Sequence, residues 1–248
     1  MNYPPRDTAK IGVLVPFTNT NLEPDLMLMC PPGCTLHFQR LGGYDVDEVP
    51  GSEQMAGLGA SDISHDLRMI SGVRPDVVLY GCTSATLTHG PAFDEDLAKR
   101  IQTGSGARSI TAAGALIAAL KALGITRVGF SSPYLGEVIK QAMSFLSDNG
   151  VDTVACADVG RELGNYGQGE LTPDEVYDLA LQAAHPEAQA IVLSCTDMRS
   201  VEAITRIEAA LDKPVVTSNQ AMMFALMRAL DLPRHDDLPG RLFDCLST

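Results

Sequence analysis

The nine residues Val78 to Thr86, Val-Leu-Tyr-Gly-Cys-Thr-Ser-Ala-Thr, return in pattern 113 positions later as Ile191 to Arg199, Ile-Val-Leu-Ser-Cys-Thr-Asp-Met-Arg. Two further segments repeat in the same order. Ile11-Gly-Val-Leu-Val-Pro reappears within Arg127-Val-Gly-Phe-Ser-Ser-Pro, and Thr111, Ala115, Ala119 and Leu120 reappear as Thr217, Ala221, Ala225 and Leu226. Such self-similarity restricts the chain to folds built from one unit used twice. We divide it near Gly124 into residues 1–124 and 125–248, with a crossover of segment 218–248 back onto the first half left open.

Within each half, short apolar runs alternate with helical periodicities. Ile11–Val15, Val77–Tyr80, Arg127–Phe130 and Ala190–Leu193 read as buried parallel strands. Thr35–Gln39, Ser109–Thr111, Thr153–Ala157 and Pro214–Thr217 are weaker candidates. Helices are expected over Ser61–Gly72, Phe93–Gln102, Ala113–Leu123, Gly136–Asn149, Pro173–His185, Val201–Leu211 and Gln220–Leu230. Leu123-Gly124 and Asn149-Gly150 mark helix ends, and Thr172-Pro173-Asp174-Glu175 marks a start. The expected fold is α/β, with two similar halves, parallel sheets related by pseudo-twofold symmetry, and a cleft at the carboxyl ends of the strands.

With 248 residues, 45% of them hydrophobic, the chain buries a proper core without disulfide staples. The net charge of -13 opposes nucleic acid and anionic membranes as partners. The longest apolar stretches fall well short of a membrane span, and the N-terminus lacks the layout of a signal peptide. A cytoplasmic location with reduced thiols is the default expectation, because the six cysteines are irregularly spaced.

A lone cysteine after a strand is most often a small buried hydrophobe. Cys82 and Cys195 differ because each occupies the same place in its half, which points to paired chemistry; core packing and a redox pair are the competing readings. Cys82 precedes Thr83, Ser84 and Thr86 at a strand-to-loop or helix-start junction, where nearby backbone N–H donors favour a thiolate. Cys30, Cys34, Cys156 and Cys245 lack such context and read as structural or incidental. Asn19, in the loop after the first strand, is suited either to donate to a carboxylate or to cap a helix. Tyr134 holds the matching loop of the second half, either as a ligand donor or as a half-buried anchor. Asn165 lies in a Gly-flanked turn suited to an anionic ligand or to an ordinary surface bend. No phosphate-binding glycine motif and no metal-ligand spacing occurs, so neither a cofactor nor a metal is expected.

These residues resemble the aspartate/glutamate racemase superfamily and, within it, the maleate cis-trans isomerases. The features that carry the resemblance are Val15-Pro16-Phe-Thr-Asn19-Thr20-Asn-Leu-Glu23, Gly81-Cys82-Thr83-Ser84, Pro133-Tyr134, Asn165 and Leu193-Ser194-Cys195. Arylmalonate decarboxylases are similar around Cys82, Tyr134, Cys195 and Gly240-Arg-Leu-Phe-Asp. They characteristically have glycine in place of the first cysteine and lack the loop asparagine; this chain has both. The resemblance implies a small carboxylate as substrate, no cofactor, and commonly a homodimer or higher homo-oligomer. It also implies that Cys82 adds to an alkene carbon while Cys195 handles the proton, with Asn19, Tyr134, Asn165 and the backbone around Cys82, Thr83 and Ser84 and around Cys195 and Thr196 holding the carboxylates. A two-thiol racemase, an arylmalonate-type decarboxylase and a redox-sensitive binding protein are the alternatives.

Overall fold

The computed structural model describes residues 5–45, 48 and 50–246. Its first four strands, β1 (Ala9–Pro16), β2 (Cys34–Leu41), β3 (Val77–Tyr80) and β4 (Arg108–Thr111), form a parallel sheet in the order β2-β1-β3-β4. The next four are β5 (Arg127–Ser131), β6 (Asp152–Ala157), β7 (Ala190–Leu193) and β8 (Val215–Thr217), in the order β6-β5-β7-β8. All eight expected strands are present, and the two sheets share one topology.

The continuous apolar runs follow from burial on both faces of each sheet. In β1, Ile11, Val13 and Val15 belong to a large core that also takes in Phe130, Val192 and Val216 of the second sheet, while Leu14 joins a smaller core on the opposite face with Val78 and Tyr80. Successive side chains along a strand face opposite ways, so neither face tolerates a charge. Gly12 and its counterpart Gly129 mark close approaches: a Cβ would lie 2.7 Å from the Ile70 side chain at the first and 2.1 Å from the Ala183 carbonyl at the second.

The chain forms eleven helices among the described residues: α1 (Leu22–Leu28), α2 (Ser52–Ala60), α3 (Ser64–Ser71), α4 (Thr83–Leu87), α5 (Pro91–Ser105), α6 (Ala112–Ala122), α7 (Glu137–Asp148), α8 (Gly167–Glu170), α9 (Pro173–Gln182), α10 (Ile204–Leu211) and α11 (Ser218–Ala229). The repeated threonines play one role twice. Thr111 caps α6 by accepting from the Gly114 amide, and Thr217 caps α11 by accepting from the Gln220 amide. Thr172 opens α9 with a full capping box. Gly124 and Gly150, at φ of 68° and 82°, supply the left-handed residues after α6 and α7. The Ala-rich α6 packs on α11, which also lies against α1 and β4 of the first half.

Four helices fall outside the expected set: α1, α2, α4 and α8. Each of α1, α4 and α8 has seven residues or fewer, too short for a helical period to emerge. α2 contains Gly57 and Gly59, which weaken its signal. Gly59 is there for contact, since a Cβ would sit 2.2 Å from the Ala85 carbonyl of α4. The helix expected from Ser61 starts at Ser64, where the Asp62 carboxylate accepts from the Ser64 amide at 2.9 Å. The segment expected as one helix from Val201 opens with a 3-10 turn, Val201–Ala203, before α10. No helix among the described residues is long and apolar enough to cross a membrane.

Candidate active site

In both sheets the chain changes winding direction between the two central strands, which is where open α/β sheets leave a crevice. The loops after β1 and β3 carry Asn19 and Cys82, and those after β5 and β7 carry Tyr134 and Cys195. These loops border one cavity with about 400 Å³ of empty space, solvent at its mouth included. Cys82, Cys195, Asn19, Ser84, Tyr134, Asn165 and Thr196 all line it. Cys82 and Cys195 are 5% and 4% exposed, and both are free thiols.

Thr83 turns its side chain away from this cavity; the hydroxyl donates instead to Ser218 Oγ at 2.9 Å. As the first residue of α4, it turns its side chain toward α11 and ties the two helices together.

Asn19 secures a helix start. Its Oδ1 accepts from the Asn21 and Leu22 amides at 3.1 and 2.9 Å, which fixes the amide orientation and secures the start of α1. Its Nδ2 donates to Thr196 Oγ1 at 3.0 Å, and Thr196 in turn donates to the Gly81 carbonyl at 2.8 Å. Thr196 thus spends its only hydroxyl proton on the residue before Cys82, joining three loops from two halves. From outside, Arg40 braces the Asn19 loop by donating to the Pro16 and Asn19 carbonyls while pairing with Glu23 at 2.7 Å.

The surroundings of the two sulfurs differ. Cys82 immediately precedes α4, where the Ala85 and Ser84 amides favour the thiolate; the Ser84 hydroxyl lies 3.6 Å from the sulfur and donates to Met55 Sδ at 2.9 Å. Even so, burial dominates these donors and raises the Cys82 pKa above the ordinary 9.0. No helix begins at Cys195. Burial, followed by the charge of Asp197, holds this thiol well above its ordinary value, and its Sγ donates to Gln168 Oε1 at 3.4 Å. Tyr134 is buried beside both; burial first, then the charges of Cys195 and Cys82, keep its phenol protonated.

Sequence reasoning missed several lining residues. Gln168 arrives on α8, Tyr44 from the loop after β2, and Met55 and Leu58 from α2. Tyr44 packs edge-on against Phe17, with ring centroids 5.1 Å apart, and donates to Asn165 Oδ1 at 3.2 Å. Asp197 was visible as a polar neighbour of Cys195, and its place two residues beyond a strand-end thiol was the available signal. Cys30 and Cys34 lie away from the cavity, where Cys30 Sγ contacts the Cys34 carbonyl at 3.8 Å. Among the described residues, no group of three or more His, Cys, Asp or Glu side chains is arranged to hold a metal ion.

A family profile described as arylmalonate decarboxylase matches residues 11–243. The maleate isomerase of Geobacillus stearothermophilus is 24% identical over 250 residues, covering 94% of this chain and 96% of that protein. The arylmalonate decarboxylase of Bordetella bronchiseptica is 28% identical over 238 residues, covering 93% and 92%. Among solved structures, a cysteine-to-alanine variant of the maleate isomerase Iso from Pseudomonas putida S16, crystallised with maleate, superposes with a TM-score of 0.85. It shares 25% identity and covers 95% of this chain and 97% of its own.

Proposed function

This chain belongs to the arylmalonate decarboxylase family, and from that premise we propose that it is a cofactor-independent cis-trans isomerase of a small cis-butenedioate, maleate or a close relative. The observation that carries the reading is the meeting of Cys82 and Cys195 in one cavity, with donors gathered on the first sulfur and a proton retained on the second.

The site needs one negative charge shared by the two sulfurs. With Cys82 as the thiolate, its lone pair forms a carbon–sulfur bond to one alkene carbon, and the π electrons take the Cys195 proton at the neighbouring carbon. The product is a succinyl thioether on Cys82 and a thiolate on Cys195. The former double bond is now single and rotates. The Cys195 thiolate then removes a proton, the double bond re-forms in the trans geometry, and Cys82 leaves as the thiolate it was. Tyr134, Asn165 and the Asn19 amide supply neutral donors for carboxylate oxygens as charge moves. Thr196 contributes by fixing loops, since its hydroxyl proton is already committed.

The comparison with a decarboxylase supports a second reading, decarboxylation of an arylmalonate, which would need only the second thiol. Proton NMR of wild type and Cys82→Ala separates the two. We expect conversion of maleate to fumarate by the wild type and a loss of about 10⁴-fold or more in the variant. Conversion that persists without Cys82 overturns the mechanism. The reduced thiols suit a cytoplasmic setting, and Met27 and Leu28, at 57% and 61% exposure on α1, support a homodimer.

A further inference from the structure

The cavity proposed to take a dicarboxylate contains one formally charged side chain among its described lining residues, and that residue is an acid, Asp197. It is 7% exposed. Its Oδ1 accepts from the Thr20 amide at 2.7 Å, the Asn21 amide at 3.1 Å, Asn21 Nδ2 at 3.2 Å and the Thr20 hydroxyl at 3.3 Å. Four donors from the opposite half on one oxygen leave the carboxylate little freedom to rotate. Its other oxygen, Oδ2, takes none of these bonds, yet it is not among the buried atoms shut away from any partner. A fixed carboxylate in the cavity lining therefore keeps one oxygen outside these hydrogen bonds.

Its charge is felt around the whole site, because Cys195, Cys82 and Tyr44 all have their pKa values raised in part by Asp197. No lysine, arginine or histidine among the described lining residues offsets it. In an enclosed site with little screening, a ligand carboxylate placed against Asp197 is repelled, whereas a hydrogen-bond donor in the same place is attracted. Sites built around a buried hydrogen-bonding partner discriminate strongly against analogues that leave it unpaired.

From this geometry we infer that Asp197 makes the site selective for a small cis-unsaturated monoanion with one carboxylate and, in place of the second, a group that donates a hydrogen bond, a carboxamide being the simplest. The inference rests on the isomerase reading and narrows its substrate class. The chemistry at sulfur is unchanged, since a carboxamide activates an alkene toward thiolate addition as a carboxylate does.

The test compares kcat/KM for maleate and for its monoamide, maleamate, in wild type and in Asp197→Asn. The asparagine keeps an Oδ1 acceptor for Thr20 and Asn21 and puts a donor in place of the other oxygen. Any change in Cys195 acidity affects both substrates alike, so their ratio isolates recognition. We expect the wild type to favour maleamate by about tenfold or more, and the variant to move the ratio toward maleate by a similar factor. Should the variant unfold, the wild-type ratio decides, with calorimetric binding of succinamate against succinate as the second measurement. A wild-type preference for maleate, or an unmoved ratio in a folded variant, overturns the role of Asp197 while leaving the isomerase reading in place. Turnover of neither alkene overturns both.

Discussion

Cys82 and Cys195 occupy the same position in two copies of one sheet and are almost equally buried; burial raises the pKa of both, but donors around Cys82 offset it while the charge of Asp197 adds to it at Cys195. After Cys82 the chain enters α4, which brings amides and a hydroxyl to the sulfur. After Cys195 it enters a turn that carries Asp197, and this sulfur donates to Gln168. A duplicated scaffold thus delivers two thiols to one cavity, and in the proposed mechanism divergence over the next two residues separates a nucleophile from a proton donor. The strand ends fix where the sulfurs are; the residues that follow fix what each one does.

Removing the proton donor gives the largest effect on this contrast after loss of the nucleophile itself. Cys195→Ala is expected to lower kcat by about 10²–10⁴-fold, the usual worth of a positioned acid. In that variant Cys82 should remain alkylatable by a small electrophile, and equal loss of alkylation would blur the assignment.

Each corner is backed by a buried carboxyl, and stability should report the difference between them. Asp25 contacts the Cys195 corner through Asn219, whose Nδ2 donates both to Asp25 Oδ2 at 2.7 Å and to the Thr196 carbonyl at 3.1 Å. Asp94 sits behind α4, beside Thr111 and Thr86. Burial lifts Asp25 from 3.8 to about 7 and Asp94 from 3.8 to about 6. Each folded-state pKa lies above its unfolded value, so the stabilisation is complete below pH ~4 and is lost as pH rises to about 7 and about 6 respectively. At about 1.4 kcal/mol per pH unit, the losses are up to about 4 and about 3 kcal/mol. Urea titrations across that range should show both slopes. Asp25→Asn should flatten the larger one, and an unchanged slope would remove Asp25 from the account.

Smaller shifts should appear in the pH dependence of kcat/KM. After burial, Asp197 is the strongest influence raising the Cys195 pKa, whereas it acts only weakly on Cys82. Asp197→Asn is therefore expected to bring the alkaline limb down in pH more than the acid limb. Ser84→Ala removes the hydroxyl beside the Cys82 sulfur, which lowers its pKa, and should move the acid limb upward, lowering activity at neutral pH by about tenfold, the worth of one hydrogen bond. Limbs that move together in both variants would mean that the two thiols titrate as a single unit.

Much of this architecture was legible in the chain because strands buried on both faces must be continuously apolar, as β3 and β7 are. The paired thiols were legible for the same reason, each closing such a run. Less visible was what the short helices do. Five residues of α4 carry no period, yet they determine the environment of Cys82 and turn Thr83 away from the cavity. Gln168 and Tyr44 reach the site from segments whose inward side no pattern marks. Asp197 could be seen beside Cys195, but the four bonds that hold it come from residues 177 and 176 positions away.

The assignment of roles is tested most directly by trapping the adduct. Cys195→Ser, incubated with maleate and quenched in acid, should gain the mass of one whole maleic acid, because addition across the double bond loses no atoms. Peptide mapping should place that mass on Cys82, and the Cys82→Ala, Cys195→Ser double variant should gain nothing. Equal labelling of the double variant, or maleate turnover in protein lacking Cys82, would contradict the account.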